Sequence, residues 1–370
     1  MIIKKISVDG FKNLCEVDIS PEEKVNIICG ENAQGKTNLI EAIWLMSGAK
    51  SFRTTRQTDL IGFERDIAKI DLVFNDSVRE QNISVTLQKS TKEKKILLNG
   101  VKVRSLSNLF GVLKCVVFTP EDLELSKGSP DVRRSFIDLC ISQIKPQYAK
   151  TVAKYETVLI QRNTLLKNIA MGISKADELD VWDIQLARLG SYISVLRYNY
   201  VKKLGLFAGG LYDEISKQRE KMTLSYASTV FEDLENQTDY NGEMADIFLQ
   251  ELDKTRQEDI RLGFTTVGVH RDDILINIGG ISAREYGSQG QNRSAALCLK
   301  LGQAYILFEE TSDMPVILLD DVLSELDKSR KDFVLSQISR MQIFITCCEP
   351  IDKISGGRFL VKSGRVEKVR

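Results

Sequence analysis

The stretch "CGENAQGKTNL", residues 29 to 39, is a glycine-rich turn that contains a Lys-Thr pair. The eight residues that begin at Gly30 fit the pattern G-x-x-x-x-G-K-[ST], in which backbone amide groups converge on phosphate oxygens. The preceding residues, VNIIC (25 to 29), predict a short buried strand, and the apolar spacing after the turn predicts a helix that starts inside the motif. A phosphate-binding loop requires this order of strand, loop and helix.

The residue types in this loop predict the parts of a nucleotide site. Lys36 reaches the β and γ phosphate oxygens, the hydroxyl of Thr37 ligates Mg²⁺, and the helix contributes its positive end. Gln34 stands at a position that usually serves as a filler. The candidate cofactor-binding residues of the loop are Gly30, Glu31, Asn32, Ala33, Gln34, Gly35, Lys36 and Thr37.

A second motif, "PVILLDDVLSELD" (315 to 327), supplies carboxylates that the loop lacks. Its four apolar residues predict a buried parallel strand, and Asp320 and Asp321 follow at the carboxyl end, where open α/β sheets bind ligands. Asp320 is predicted to hold the magnesium through water, and Asp321 to orient or deprotonate the attacking water. The catalytic candidates are thus Lys36, Asp320 and Asp321, and the metal candidates are Thr37 and Asp320.

A third motif lies in "YGSQGQNRSAALCLKLGQAYIL" (286 to 307), which predicts a long helix. Ser288, Gly290 and Gln291 stand at its start, where backbone amides and the helix dipole favour an anion. The alternative is a helix cap, formed by Ser288 or Asn292, without any ligand. For an isolated S-x-G-Q the cap is the more common case.

The composition limits the class of protein. Among 370 residues, 51 are Lys or Arg and 51 are Asp or Glu, so a nucleic-acid partner would have to be held by local patches. The seven cysteines include no C-x-x-C pair, which indicates neither a disulfide framework nor a zinc site. The N-terminus lacks a signal-peptide core, and no apolar run approaches the ~18 residues that span a bilayer. We expect a reduced, cytoplasmic protein without membrane contact.

Strand patterns occupy both ends of the chain. The N-terminal "MIIKKISVDGFKNL" alternates like an edge strand, and Asn99-Gly100 suits a tight hairpin turn. Further strands are predicted at 66 to 74, 82 to 87, 265 to 269, 274 to 278, 316 to 320 and 343 to 346.

The middle of the chain changes to a helical period. Two apolar stripes, over 148 to 169 and 182 to 200, are joined by a polar turn and predict a helical hairpin, and 243 to 258 predicts a third helix. The predicted fold class is therefore α/β. Residues 1–128 and 262–370 are predicted to form a P-loop head, a mixed sheet with helices, and residues 129–261 an inserted α-helical arm domain.

The three motifs together resemble the ABC-type ATPase head of the SMC family. The double-acid strand ends 29 residues after Gln291, and "SELD" follows it, as in that family. Lys36 and Asp320 are 284 residues apart, whereas transporter ATPase domains keep the corresponding residues much closer. Because the chain has neither the length nor the sustained heptads of a long coiled coil, the inserted arm is a short one.

Within that family, the sequence resembles the RecF family of bacterial recombination proteins over nearly the whole chain. Val269 and Asn292 depart from this pattern, which has proline and glutamine there, and Gly287 and Gln289 differ from the transporter-type L-S-G-G-Q. The matching segments, in order, are "GFKNL" (10 to 14), "GAKSFRTTR" (48 to 56), "FTPEDL" and "GSPDVRRSFID" (within 118 to 138), "VGVHRDD" (267 to 273), "GSQGQNR" (287 to 293) and "LLDDVLSELD" (318 to 327).

The resemblance implies a nucleotide site shared by two copies of the chain. Two ATP molecules would be sandwiched, each between the loop and carboxylates of one copy and Ser288, Gly290 and Gln291 of the other. Asp327 would lie across the same interface. Lys12 and Asn13 would touch the nucleotide, or else are solvated loop residues.

The resemblance also implies a function. An ATP-induced homodimer would bind gapped or junction DNA, both single- and double-stranded, and help the mediators RecO and RecR load a recombinase. A weak ATPase would release it. The alternatives are an ATPase subunit that energises a transporter and a scaffold with a vestigial site, although Lys36, Thr37 and both acids are intact.

Other charged residues carry open hypotheses. Two basic patches either bind DNA phosphates or form a solvated surface: one consists of Lys50, Arg53 and Arg56, and the other of Arg133-Arg134. His270, the only histidine, lies near the phosphates or DNA, or is a structural residue with satisfied hydrogen bonds.

Overall fold

A computed structural model describes residues 1–54, 56–235, 240–348 and 355–369. Thr55, which belongs to the segment 48 to 56, lies outside the described residues. The strands are β1 (Ile2–Asp9), β2 (Val17–Ile19), β3 (Val25–Cys29), β4 (Ile67–Asn75), β5 (Glu80–Gln88), β6 (Lys94–Leu98), β7 (Val101–Val103), β8 (Cys115–Phe118), β9 (Met222–Ala227), β10 (Asp273–Ile278), β11 (Ile281–Ser282), β12 (Val316–Leu319), β13 (Ile343–Cys347), β14 (Gly357–Lys362) and β15 (Arg365–Val369). The helices are α1 (Lys36–Leu45), α2 (Glu124–Lys127), α3 (Pro130–Ile144), α4 (Pro146–Ala170), α5 (Asp180–Ile215), α6 (Gly242–Leu262), α7 (Ala283–Tyr286), α8 (Gln289–Thr311) and α9 (Lys328–Gln337).

The chain forms two compact units, one from Met1–Asp122 with Ala296–Arg370 and the other from Leu123–Ala295. The second unit includes more of the chain than the insertion of 129–261 that the sequence predicts. The reason is that β10, predicted as part of the head, pairs with β9 and β11 in a separate antiparallel sheet. The boundary at which the second unit ends and the first resumes falls within α8.

In the part of the chain that the structure describes, the first unit contains two sheets. One is antiparallel, in the order β2-β1-β4-β5-β6-β7, and the other has the order β15-β14-β3-β13-β12-β8. In the second sheet β14, β3, β13, β12 and β8 run parallel, so their carboxyl ends share one edge. The prediction that the N-terminus is an edge strand is wrong, because β1 pairs with a strand on either side.

The second unit is mainly helical. α4 and α5 form the predicted hairpin, and α5 is 36 residues long, or about 54 Å at 1.5 Å per residue. α6 packs against both helices, as its apolar stripe predicts. Among the described residues, no helix is both long and apolar enough to span a membrane.

The predicted strand at 265 to 269 is absent. Side chains, rather than a neighbouring strand, bind its backbone amides: Asn163 Oδ1 accepts from Thr265 N at 2.8 Å, and Asp259 Oδ1 accepts from Thr266 N at 2.9 Å. Asp259 is completely buried and also pairs with buried Arg162 at 2.7 Å. The apolar pattern of "TTVGV" therefore reflects burial in a loop that is held by a polar network.

His270 lies inside this network. Its Nε2 is 3.1 Å from Thr265 O, which can only accept, so Nε2 carries the proton and Nδ1 accepts from the Tyr155 hydroxyl at 2.9 Å. Burial lowers the pKa of His270 to about 4, and the hydrogen bond to Thr265 offsets this only in part. These contacts favour the structural role over a role in catalysis.

We expect the free energy of unfolding of His270→Asn to fall less at acidic pH than that of the wild type. The unfolded chain binds the histidine proton near pH 6.5, whereas the folded chain resists it down to about pH 4. The neutral His270 side chain therefore contributes fully to the free energy of unfolding above pH 6.5. This contribution, roughly 3 kcal/mol, is lost as the pH falls towards 4. Urea unfolding at pH 7.5 and 4.5 measures this difference. If the variant loses as much stability as the wild type between these pH values, the assignment is wrong.

Candidate nucleotide-binding site

The glycine loop connects β3 to α1, as its motif predicts. Gly35 has φ +119°, a backbone conformation that favours glycine, and a Cβ atom there would also crowd the Asn13 side chain, with Oδ1 at 2.8 Å. α1 begins at the next residue, and its apolar face, including Leu39, Ile40 and Ile43, is completely buried. The start of α1 is thereby fixed beside the loop.

Lys36 is held within the loop. Its side-chain ammonium donates to the carbonyl oxygens of Gly30 at 2.7 Å and Glu31 at 3.0 Å, and it contacts Cys348 Sγ at 3.5 Å. The residue is only 4% exposed. A buried cation surrounded by the loop backbone is a suitable partner for phosphate oxygens.

Thr37 and Asp320 meet although they lie 283 residues apart. The Thr37 hydroxyl donates to Asp320 Oδ1 at 3.0 Å, and the Thr346 hydroxyl donates to the same oxygen at 2.9 Å. The parallel register of β3, β13 and β12 places the three residues at one edge of the sheet. Burial raises the pKa of Asp320 above its usual range, and the two hydroxyl groups lower it in part.

Asp321 follows in an unusual backbone conformation. Its φ is +53°, a left-handed value that aspartate tolerates better than most residues, and its amide donates to Thr346 Oγ1 at 2.8 Å. This turn directs the chain away from β12, so that consecutive acids occupy different surroundings. Asp320 is buried against Thr37, whereas Asp321 lines an open cleft.

The cleft has a volume of about 1140 Å³, which is ample for a nucleotide. Lys12 pairs with the completely buried Glu41, and the Asn13 side chain donates to Ala33 O at 3.1 Å, so both are fixed beside the loop. The predicted site residues that line the cleft are Lys12, Asn13, Asn32, Ala33, Gly35, Lys36, Thr37 and Asp321.

The sequence reasoning missed several residues at this site. Thr346 follows the apolar residues "IFI" at the carboxyl end of a predicted strand. A hydroxyl group in this position could have indicated a residue of the site. Phe63 lines the cleft and its side chain is fully exposed, which is unusual for a phenylalanine. Ser363, in the turn between β14 and β15, donates its amide hydrogen to Gln34 Oε1 at 2.6 Å and so braces the loop.

The S-x-G-Q residues lie in the second compact unit. Ser288 Oγ accepts from Gln291 N at 3.2 Å, and Gln291 Oε1 accepts from Ser288 N at 2.7 Å, which is a capping box. Gln291 Nε2 also donates to both oxygens of Glu220 at 2.8 Å. The helix cap that the sequence offered as the alternative is therefore present. It holds an exposed Ser288 at the start of the 23-residue helix α8.

Not every residue of the two predicted basic patches lies on the protein surface. Arg133 is 4% exposed and makes a bidentate pair with Asp273 at 2.7 and 2.8 Å, so the hypothesis that it grips DNA is wrong. Arg53 lines the cleft beside the glycine loop and donates to Asn38 Oδ1 at 3.1 Å. Lys50, Arg53 and Arg56 are all exposed. Asp327 caps α9 by accepting from Arg330 N at 3.0 Å.

Comparisons with known proteins define the class first. Residues 2–352 match the model of the family described as "RecF/RecN/SMC N terminal domain". A solved SMC head, bound to the C-winged helix domain of ScpA, has 16% sequence identity and a TM-score of 0.57, and the match covers 100% of this chain and 97% of that one. This likeness concerns the fold alone. The predicted α/β, ABC-type head fold is thereby confirmed.

More similar proteins narrow the class. "DNA replication and repair protein RecF" of Clostridium tetani (strain Massachusetts / E88) is 39% identical, with 94% of this chain and 93% of that protein covered. The protein of the same name from Agathobacter rectalis is also 39% identical, with 98% and 96% covered. A solved "recombination mediator protein RecF-ATP in RecFOR pathway" has 36% identity and a TM-score of 0.92, and covers 100% of this chain and 98% of its own. The chain belongs to the RecF family.

Proposed function

We propose that this protein is an ATP-dependent DNA-binding protein of DNA replication and recombinational repair. Two copies close around ATP, bind gapped or junction DNA, and help the mediators RecO and RecR load a recombinase on single strands. The names of the relatives, a DNA replication and repair protein and a mediator of the RecFOR pathway, support this over the transporter alternative. An ATP complex of a 36% identical structure supports ATP as the nucleotide.

The observation that carries the proposal is the convergence of Lys36, Thr37 and Asp320 beside one cleft. The Thr37 hydroxyl and Asp320 carboxylate oxygens are 3.0 Å apart, and hard oxygen donors of this kind are those that Mg²⁺ prefers, together with phosphate oxygens. Lys36 would contact the β and γ phosphates. The exposed ring of Phe63 offers a face on which an adenine can stack.

The exposed start of α8 supports a shared site. The capping box orders the start of α8 and leaves Ser288 exposed at the positive end of the helix dipole, which favours a phosphate of the partner copy. The γ-phosphate then contacts both copies, so its loss removes the differential contact that keeps them together. Asp321 orients or deprotonates the attacking water, and slow hydrolysis acts as a release step.

DNA binding in this proposal depends on local charge. Lys50, Arg53 and Arg56, the members of the first basic patch, are all exposed, and a dimer presents this patch twice. Because phosphate contacts release counterions, affinity falls steeply with added salt. ATP strengthens binding by bringing the two patches to one duplex.

Lys36→Met is expected to abolish the effect of ATP on DNA binding. The change keeps the length of the side chain but removes the cation that faces the phosphates. We expect ATP with Mg²⁺ to tighten wild-type binding to gapped DNA by about tenfold or more, within the usual range of coupling, and to leave the variant unchanged. Gel shifts with single-stranded, duplex and gapped DNA, with and without ATP, measure this effect.

Lys24→Met is the matched control, because Lys24 is exposed just before β3 and lies outside the cleft. It should respond to ATP as the wild type does. The proposal fails if wild-type DNA binding is insensitive to ATP, or if the Lys36 variant responds fully.

A further inference from the structure

Three cysteines converge on the nucleotide loop. Cys29 and Cys347 are the last residues of β3 and β13, and they are register partners on these adjacent parallel strands. Their sulfur atoms are 3.2 Å apart. Cys348 Sγ lies 3.0 Å from Asn32 Oδ1 and 3.5 Å from Lys36 Nζ, both in the glycine loop.

The backbone of the pair suits a disulfide bond. Neighbouring strands lie about 4.7–4.9 Å apart, within the roughly 4.4–6.8 Å that a disulfide requires between Cα atoms. Register partners also direct their side chains to the same face of the sheet. The bond needs the sulfur atoms to approach by only about 1.2 Å from their present separation, since the S–S length is about 2.04 Å.

The two thiols differ in access. Cys29 is half-buried, whereas Cys347 is buried. Burial, reinforced by the hydrogen bond with Cys29, raises the pKa of the Cys347 thiol to about 12. Cys29 is consequently the better candidate for the first reaction with an oxidant, and Cys347 for the second.

We propose that Cys29 and Cys347 form a reversible disulfide when the protein meets a peroxide, and that this bond weakens nucleotide binding. The Cys29 sulfur attacks hydrogen peroxide, gains a hydroxyl group and releases water. The Cys347 sulfur then attacks the resulting sulfenic acid, and the hydroxyl group leaves with the Cys347 proton as a second water. Two thiols are oxidised, one peroxide is reduced, and a dithiol reagent reverses the change.

The bond would act on the loop through Gly30, which follows Cys29. The carbonyl oxygen of Gly30 accepts from Lys36 Nζ at 2.7 Å. A Cβ atom at Gly30 would lie 2.5 Å from Val361 O, so the backbone here is closely packed against β14 and cannot adjust freely. Because Lys36 and the loop amides would bind phosphate through charge-assisted hydrogen bonds, a shift of the loop that breaks one of them should weaken ATP binding at least about tenfold. This second effect, unlike the bond itself, rests on the proposed function.

The experiment treats the full chain with hydrogen peroxide, blocks the remaining thiols, and maps disulfide-linked peptides by mass spectrometry. We expect a Cys29–Cys347 link in the wild type and in Cys348→Ser, but not in Cys29→Ser or Cys347→Ser. The buried Cys115 should stay reduced. Absence of this link in the wild type, or a link that joins Cys348 instead, would overturn the proposed site.

Binding of a fluorescent ATP analogue is then measured before oxidation, after it, and after dithiothreitol. Weaker binding that dithiothreitol restores, in the wild type and Cys348→Ser but not in Cys347→Ser, supports the effect on the loop. Unchanged affinity in the linked protein would overturn that effect. Failure of the reduced wild type to bind ATP would contradict the proposed function instead, and peptide mapping would still decide whether the bond forms.

Discussion

Asp321→Asn is expected to slow ATP hydrolysis by about 10²–10⁴-fold, the contribution of a well-placed general base, while ATP binding is kept. Asp321 lines the cleft next to Lys36 and Thr37, and its backbone is fixed by the hydrogen bond from its amide to Thr346 Oγ1 at 2.8 Å. The amide side chain has the same shape but cannot accept a proton from water. The proposed magnesium ligand, Asp320, is untouched.

The measurement is single-turnover hydrolysis, together with sedimentation in ATP and Mg²⁺. If hydrolysis releases the dimer, the variant should remain dimeric long after the wild type has dissociated. Asp332→Asn is the matched control, because it makes the same chemical change on an exposed position of α9. Hydrolysis by Asp321→Asn at the wild-type rate would remove Asp321 from the mechanism.

The local motifs were predictable because each depends on a few neighbouring residues. The glycine pattern fixes a loop between strand and helix, and four apolar residues before Asp320 fix a buried strand. Since parallel strands share their carboxyl edge, the sequence also predicts that the acids lie near the loop. The contact of 3.0 Å between Thr37 and Asp320 agrees with that expectation.

Long-range pairing explains most of what the sequence did not predict. The alternation in 274 to 278 indicates a strand but not its neighbour, and that neighbour, β9, lies within a stretch interpreted as helical. Arg133 has the charge of a DNA contact, yet the partner that buries it, Asp273, is 140 residues away. Charge and periodicity are local properties, whereas burial depends on the tertiary fold.

The support of the site was hidden for the same reason. Gln34 fills an unspecified position in the loop motif, and its partner Ser363 is 329 residues away. Thr346 joins Asp320 and Asp321 through one hydroxyl group, which a pattern of apolar residues does not reveal. The residues proposed to act on phosphate can be recognised in the sequence by their chemistry, whereas those that position them can be recognised only by their contacts in the fold.

Ser288→Arg is expected to raise the dissociation constant of the ATP-bound dimer by about 100-fold or more, as loss of a central interface contact does. Ser288 is exposed at the start of α8, where the proposed partner phosphate approaches. An arginine side chain fills this approach and keeps the amides of the helix away from the phosphate. The variant should still bind ATP, because the Lys36 cleft is unchanged.

Two further variants separate contact from folding. Ser288→Ala loses only the oxygen that accepts from Gln291 N, which costs about 1 kcal/mol of helix stability. Ser288→Thr keeps that oxygen. Analytical ultracentrifugation in ATP and Mg²⁺ should find dimers for the alanine and threonine variants and monomers for arginine, with thermal unfolding confirming that all three are folded. A folded Ser288→Arg protein that dimerises like the wild type would rule out a site shared between two copies, because its amides would then be dispensable for closure.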